Sequence, residues 1–207
     1  QLLTAVLSGS RKALNWCDDK GSVDFYDMKG IVEGLLEAMQ VSDYTMTRSQ
    51  QPYLHPGKSC DIVVNGEVIG SFGEVHPVVQ ENFELDQVTY VLEMAVEPLV
   101  ASATAVPQYK HLPKFPSMSR DIAVVVPAEV TNAELEQVIR AHAGELLQGV
   151  RVFDIYTGKQ VAAGCKSMAF NLTYQAADRT LTDAEVDASM KKVIAEVAEA
   201  YKAKLRD

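Results

Sequence analysis

Alternating side chains predict three strands in the second half of the chain, over residues 121–126, 150–157 and 166–174. Both sides of the first strand are apolar, which indicates a central position in a sheet. The third strand alternates large apolar residues with small or polar ones, so only its large side is expected in a core.

Two Thr-x-x-Glu capping boxes, Thr131 with Glu134 and Thr182 with Glu185, predict the starts of two helices. Apolar residues recur at helical spacing after each box. Leu205 is expected in a short last strand. The resulting order of strand, helix, strand, strand, helix, strand is that of a ferredoxin-like βαββαβ domain.

In that fold both helices cover one face of the sheet and leave the other face open. By alternation, Val152, Asp154 and Tyr156 lie on one side of their strand. Phe153 and Ile155 lie on the other side, toward the helices. The predicted open face carries small residues around one aromatic ring and one carboxylate: Ala123, Val125, Asp154, Tyr156, Ala169 and Asn171.

Five motifs follow one another in this half of the chain: KFPSMSRDIAVVV, VFDIYTG, the Lys-Ser of CKSMAFNLTYQ, RTLTDAEV and the terminal Leu-Arg. In their order and spacing they resemble the ferredoxin-fold anticodon-binding domain at the carboxyl end of bacterial phenylalanyl-tRNA synthetase beta subunits. The set is highly specific, although no single motif would be.

The resemblance implies that Asp154 and Tyr156 face the anticodon, which begins with guanine in phenylalanine tRNA. An exposed ring can stack on an unpaired base, and a carboxylate can accept two hydrogen bonds from the Watson–Crick edge of guanine. Ala123, Ala169 and Asn171 are further candidate RNA contacts on this face. From the residues alone a structural interpretation is equally open, in which Tyr156 caps the sheet edge and Asp154 pairs with a neighbouring arginine.

The formal charge of −9 argues against a protein that coats nucleic acid without selectivity. Residues 1–113 carry 7 basic and 15 acidic residues, whereas residues 114–207 carry 12 and 13. The second half is therefore the less repulsive surface for RNA. Five basic residues are candidate phosphate contacts there, with a solvated or helix-capping role as the alternative for each: Arg120, Arg151, Lys159, Lys166 and Arg179.

The first half reads as antiparallel strands with one amphipathic helix, and Asn65-Gly66 predicts a tight hairpin. Its segments VDFYDMKGIVEGLL, PYLHPGKSCDIVVNGEVIG and FGEVHP resemble the same family. In that family this region ends a module that resembles a class II synthetase core without its catalytic motifs and packs on the catalytic alpha subunit. The predicted fold is α+β, with a partial class II synthetase-like antiparallel module at 1–105, incomplete at its amino end, a linker at 106–113 and the ferredoxin-like domain at 114–207.

The resemblance implies a non-catalytic part of an enzyme that charges tRNA with phenylalanine, with two alpha and two beta subunits as partners. ATP and magnesium are expected in the whole enzyme, and no catalytic, cofactor or metal site is expected in this chain. A second interpretation is a free-standing ferredoxin-like RNA-binding or regulatory module fused to a protein-interaction domain. The chain has neither a run of about 18 apolar residues nor a signal-peptide pattern, so no membrane contact and a cytoplasmic location are expected.

His55, His76 and Glu74 could suggest a metal site, but each histidine precedes a proline and is expected to hydrogen-bond a turn. The three cysteines, Cys17, Cys60 and Cys165, are odd in number and far apart. They indicate neither a disulfide framework nor a metal clip.

Overall fold

The computed structural model of this protein describes residues 1–12, 16, 21–104, 106, 109, 112–158 and 161–206. The chain forms two compact units, Gln1–Tyr109 and Lys110–Asp207. The division lies inside segment 106–113, where the sequence predicts a connection. Two residues singled out above, Cys17 and Lys159, lie outside the described residues.

The first unit is built on a five-stranded antiparallel sheet in the order β1-β5-β4-β3-β2. Its strands are β1 (Leu2–Ser8), β2 (Tyr44–Arg48), β3 (Leu54–Val64), β4 (Glu67–Val75) and β5 (Thr89–Ala95). Asn65 and Gly66 join β3 to β4 with φ angles of 52° and 81°. Two successive positive φ angles are what the tight hairpin turn requires, so the predicted hairpin is confirmed.

In the described part of this unit, three helices accompany the sheet: α1 (Phe25–Ala38), α2 (Pro77–Asn82) and α3 (Val96–Ser102). Asp24 caps α1 in a capping box with Asp27, as the two acidic residues in the sequence favour. The stripe of Met28, Val32 and Leu36 is buried and belongs to the core that also contains the inner residues of β3, β4 and β5. The amphipathic pattern therefore places α1 on one face of the sheet.

The second unit is a four-stranded antiparallel sheet in the order β7-β8-β6-β9 with two helices. Its elements are β6 (Met118–Pro127), α4 (Asn132–Ala143), β7 (Leu147–Tyr156), β8 (Cys165–Tyr174), α5 (Asp183–Tyr201) and β9 (Lys204–Leu205). This is the ferredoxin-like order that the sequence predicts, with β6 in the interior of the sheet. Both capping boxes are formed at the predicted residues.

The core of the second unit lies between the helices and one face of its sheet. Strand β6 contributes Ile122, Val124 and Val126, and β8 contributes its large alternating side chains Met168, Phe170, Leu172 and Tyr174. The helices add residues from the apolar stripes that follow the capping boxes, among them Leu135, Ile139, Val186, Val193 and Val197. The other face of the sheet is not covered by α4 or α5 and is called the open face below.

A β-bulge at Phe153 changes one predicted side assignment. Val152 pairs with Phe170 and Asp154 pairs with Ala169, the residue before Phe170 in β8, so Phe153 has no partner of its own in the register. Val152 therefore packs against the core, and its predicted place beside Asp154 is wrong. Phe153 and Ile155 remain 54% and 53% exposed, because β7 is an edge strand and the core does not extend to them.

Candidate nucleic-acid interface

Cross-strand register arranges the open face in three rows that run across the strands. The first row is Asp121, Asn171 and Arg151. The second is Arg206, Ala123, Ala169 and Asp154, where the Arg206 backbone N–H donates to the Ala123 carbonyl at 2.9 Å. The third is Lys204, Val125, Ser167 and Tyr156. Asp154 and Tyr156 thus occupy neighbouring rows of one face.

The Asp154 carboxylate is exposed at the β7 end of the second row. Within the part of the chain that the structure describes, it takes part in no hydrogen bond and no ion pair. The structural interpretation of this residue required an arginine partner, and Arg151 in the next row does not contact it at ion-pair distance. A surface carboxylate without a partner keeps all its acceptor positions available for a ligand.

The Tyr156 ring is half-buried and held from two directions. The guanidinium carbon of Arg206 lies 4.7 Å from the ring centroid, in a cation–π contact. Gly158 lies against the other end of the side chain, where a Cβ would stand 2.1 Å from the Tyr156 hydroxyl oxygen. A larger residue at position 158 would displace the hydroxyl group from this position. The ring is therefore positioned before any ligand arrives.

Two alanines form the floor between these groups. Ala123 and Ala169 are directly opposite each other on β6 and β8, in the same row as Asp154 and Arg206. Their methyl groups leave the middle of the open face low, whereas a larger side chain at either position would fill it. The small residues predicted for this face lie on it, and they leave its middle low between a cation and a carboxylate.

Asn171 is already engaged in the first row. Its side-chain amide donates to Asp121 Oδ1 at 2.6 Å, and its oxygen accepts from the Thr173 hydroxyl at 3.4 Å. Asp121 was not among the residues selected from the sequence, although alternation places it two residues before Ala123 on the same side of β6. These contacts occupy one N–H donor and one acceptor position of the Asn171 amide and leave one of each for a ligand.

Three of the basic candidates lie away from Asp154 and Tyr156. Arg120 is in register with Leu172, on the helix-covered side, and forms ion pairs with Asp183 and Asp187 of α5. Lys166 is in register with the core residue Val126 and therefore lies on the same covered side.

Arg179 lies before α5 and pairs with Asp178 and with Glu185 of the capping box. Of the two roles considered for Arg179, phosphate contact and helix capping, these ion pairs favour helix capping. Arg151, in the first row, is the candidate that the described residues place on the open face.

Arg206 and Lys204 are cationic residues of the open face that the sequence reasoning did not select. Lys204 is on β9 in register with Val125, and Arg206 directly follows β9 and donates its backbone N–H to the Ala123 carbonyl. The signal was present in the chain, because alternation around Leu205 puts its two neighbours on the opposite side from the core.

The turn histidines behave as the sequence predicts. His55 Nδ1 accepts from the Gly57 N–H at 3.0 Å, and His76 Nδ1 accepts from the Val78 N–H at 3.3 Å. Residues 1–12, 16, 21–104, 106, 109, 112–158 and 161–206 contain no group of three or more His, Cys, Asp or Glu side chains arranged to hold a metal ion. No helix in the same part of the chain has the length and apolar character needed to cross a bilayer.

Comparison with known proteins covers both units. Residues 1–96 match the family described as the phenylalanyl tRNA synthetase beta chain CLM domain, and residues 113–206 match the ferredoxin-fold anticodon binding domain. The chain is similar to the phenylalanine–tRNA ligase beta subunit of Shouchella clausii, with 42% identity over 205 residues, which is 99% of this chain and 25% of that protein.

The corresponding subunit of Bacillus subtilis is 42% identical over 197 residues, covering 95% of this chain and 24% of that protein. The protein of the same name from Symbiobacterium thermophilum is 42% identical over 205 residues, covering 99% and 23%. The chain thus spans about a quarter of the length of these relatives.

Proposed function

Because this chain belongs to the phenylalanyl-tRNA synthetase beta-chain family, we propose that its second unit binds the anticodon of phenylalanine tRNA on the open face. The observation that carries the proposal is the unpartnered Asp154 carboxylate beside the fixed ring of Tyr156, at the end of a row floored by two alanines. This arrangement offers one group for stacking and one for reading the edge of a base.

The proposed recognition follows from the donors that each base presents. Guanine carries two adjacent N–H groups on its Watson–Crick edge, and both can donate to the two oxygens of one carboxylate. The other bases present a single donor group flanked by acceptors, which a carboxylate repels. A base stacked on Tyr156 with its edge toward Asp154 is therefore held most strongly when it is guanine.

The first unit, on this proposal, packs against the catalytic alpha subunit in an assembly of two alpha and two beta subunits. The whole enzyme charges tRNA with phenylalanine in the cytoplasm and uses ATP with magnesium, and this chain supplies no catalytic residue. The match of both units to domains of one beta chain supports this assignment over a free-standing RNA-binding module joined to an unrelated interaction domain.

The decisive experiment is a binding titration of the 207-residue protein with anticodon stem-loops that carry GAA or a different first base. The unsubstituted protein is expected to prefer GAA. Asp154→Asn replaces one acceptor oxygen by a donor, so the preference for guanine is expected to shrink by about 1–3 kcal/mol, a factor of roughly 5–150.

Asp121→Asn is the matched control, because it makes the same substitution on the same face at a carboxylate engaged by Asn171. It is expected to leave the guanine preference unchanged. An Asp154→Asn protein that keeps the full guanine preference while its melting temperature falls would show that Asp154 is a structural carboxylate.

A further inference from the structure

We infer that Arg206 occupies the place of the base in the free protein and becomes a phosphate ligand of the bound RNA, which fixes the direction of the nucleotide on the open face. The inference rests on the proposed function, since it concerns the same face. It adds to the proposed function one RNA-contact residue and an orientation of the nucleotide. The edge of the base points toward Asp154 on β7, and the sugar-phosphate backbone of the RNA lies along β9.

The orientation follows from the second row of the open face. Arg206 and Asp154 stand at its two ends, separated by Ala123 and Ala169. Three strand spacings of about 4.8 Å place the two backbones about 14 Å apart. The row is thus cationic at one end, anionic at the other and low in between.

Lys204 adds a second cation beside Arg206 at the β9 edge of the third row. A nucleotide has matching polarity, with an anionic phosphate on one side of the sugar and hydrogen-bond donors on the edge of the base. The polarity of the face therefore selects one of the two directions in which a nucleotide can lie across the strands.

The stacking position explains why Arg206 has to move. Its guanidinium carbon is 4.7 Å from the centroid of the Tyr156 ring, so the planar guanidinium lies in the layer that a stacked base would occupy. No base fits between groups at that separation. A base that stacks on this side of the ring replaces the guanidinium, which can then pair with a backbone phosphate through its fork of N–H donors.

Salt dependence separates this role from a purely structural one. Arg206→Ala should weaken binding of the GAA stem-loop roughly tenfold, and the slope of log affinity against log salt concentration should fall in magnitude by about 0.7, the value for one phosphate contact to a single strand. The guanine preference should stay intact, because phosphate contacts carry no base identity. Arg206→Lys keeps a cation on a long side chain and should restore most of the slope.

Arg140→Ala is the matched control, because it removes one arginine from the same unit on α4, where the guanidinium pairs with Glu136. It should leave the slope unchanged. An Arg206→Ala protein with unchanged slope, or with higher affinity, would overturn the inference and show that the guanidinium only covers the ring. If Arg206→Ala does not fold, the slope of Arg206→Lys decides: a slope reduced to the value expected for one lost contact overturns the inference.

The proposed function is tested separately in the same titrations. A GAA preference that depends on Asp154, together with no effect at Arg206, leaves the proposed function standing and removes only this inference. Absence of stem-loop binding by the unsubstituted protein removes both.

Discussion

Each of the two sheets places a tyrosine beside a carboxylate. The two pairs differ in whether the protein itself supplies hydrogen-bond partners for the carboxylate. In the first unit, Glu74 lies opposite Tyr90 on the neighbouring strand and is only 5% exposed. Its Oε2 accepts from the Lys58 ammonium at 2.6 Å and from the Tyr90 hydroxyl at 3.1 Å. Burial and the hydrogen bond to Glu74 raise the pKa of Tyr90 to about 12.

In the second unit the carboxylate of the pair is exposed to solvent. Asp154 has no partner among the described residues, and Tyr156 presents its ring to Arg206. The tyrosine of the first unit contacts its partner through its hydroxyl group, whereas that of the second contacts Arg206 through its ring. A carboxylate whose hydrogen bonds are completed by its own chain stabilises the fold, and one whose acceptors remain available can serve a ligand.

The largest expected effect comes from breaking the first pair. Glu74→Ala leaves the buried Tyr90 hydroxyl without its acceptor and Lys58 without its counter-ion. The first unit should lose roughly 2–3 kcal/mol of stability, below the usual cost of breaking a fully buried pair because the Lys58 side chain is 51% exposed. Hydrogen exchange of the whole protein, followed peptide by peptide, measures the loss in each unit separately.

Asp154→Ala is the comparison variant, and it should change the exchange of the second unit by no more than about 0.5 kcal/mol. The contrast between the two carboxylates fails if Asp154→Ala destabilises its unit as much as Glu74→Ala destabilises the first.

The second effect concerns the ring of Tyr156. Stacking on an aromatic side chain contributes about 1–3 kcal/mol per base, so Tyr156→Ala should weaken stem-loop binding by roughly one to two orders of magnitude. Most of that loss should be independent of base identity, which distinguishes it from the Asp154→Asn effect. Tyr156→Phe keeps the ring and should bind nearly as well as the unsubstituted protein. A large loss in Tyr156→Phe would mean that the hydroxyl group, as in Tyr90, is the part that matters.

Much of the second unit could be predicted from the sequence because its signals are local. Period-two alternation located β6 and β8, and the two capping boxes located the starts of α4 and α5. The same alternation also contained unused information. Arg120 has the parity of Ile122, and Lys166 has the parity of Met168, so both belong on the helix-covered side.

The features that sequence reasoning missed depend on contacts between distant segments. The bulge at Phe153 exists only in the pairing of β7 with β8, and no local pattern in VRVFDIY distinguishes Val152 as a core residue. Arg206 lies 50 positions along the chain from Tyr156. The contact between them forms only because the last strand, β9, pairs with β6. Propensity and periodicity describe neighbours in sequence, so contacts of this kind lie beyond them.

The smallest effect tests whether partners or burial determine the role of a carboxylate. Glu185 is half-buried, between the exposed Asp154 and the buried Glu74, but it is partnered like Glu74. Its oxygens accept from the backbone N–H and hydroxyl of Thr182, and it pairs with Arg179. These hydrogen bonds, with the Thr182 backbone N–H as the first cause and the Arg179 guanidinium as a further one, lower the pKa of Glu185 to about 2. If partners decide, Glu185 should stabilise its unit although it is not fully buried.

The pH dependence of a Glu185→Gln variant measures this contribution. A carboxyl group whose pKa is lower in the folded state stabilises the fold above its ordinary pKa of 4.5, and that stabilisation is lost as the pH falls toward about 2. Glutamine can still accept in the capping box, so the substitution removes only the charge. The variant should melt about 1–3 °C below the unsubstituted protein at pH 6, and the two melting temperatures should converge between pH 4.5 and 2.

Glu129→Gln, at a carboxylate without a partner among the described residues, should show no such convergence. A Glu185→Gln difference that persists unchanged at pH 2 would assign the effect to packing of the side chain and leave burial as the better criterion.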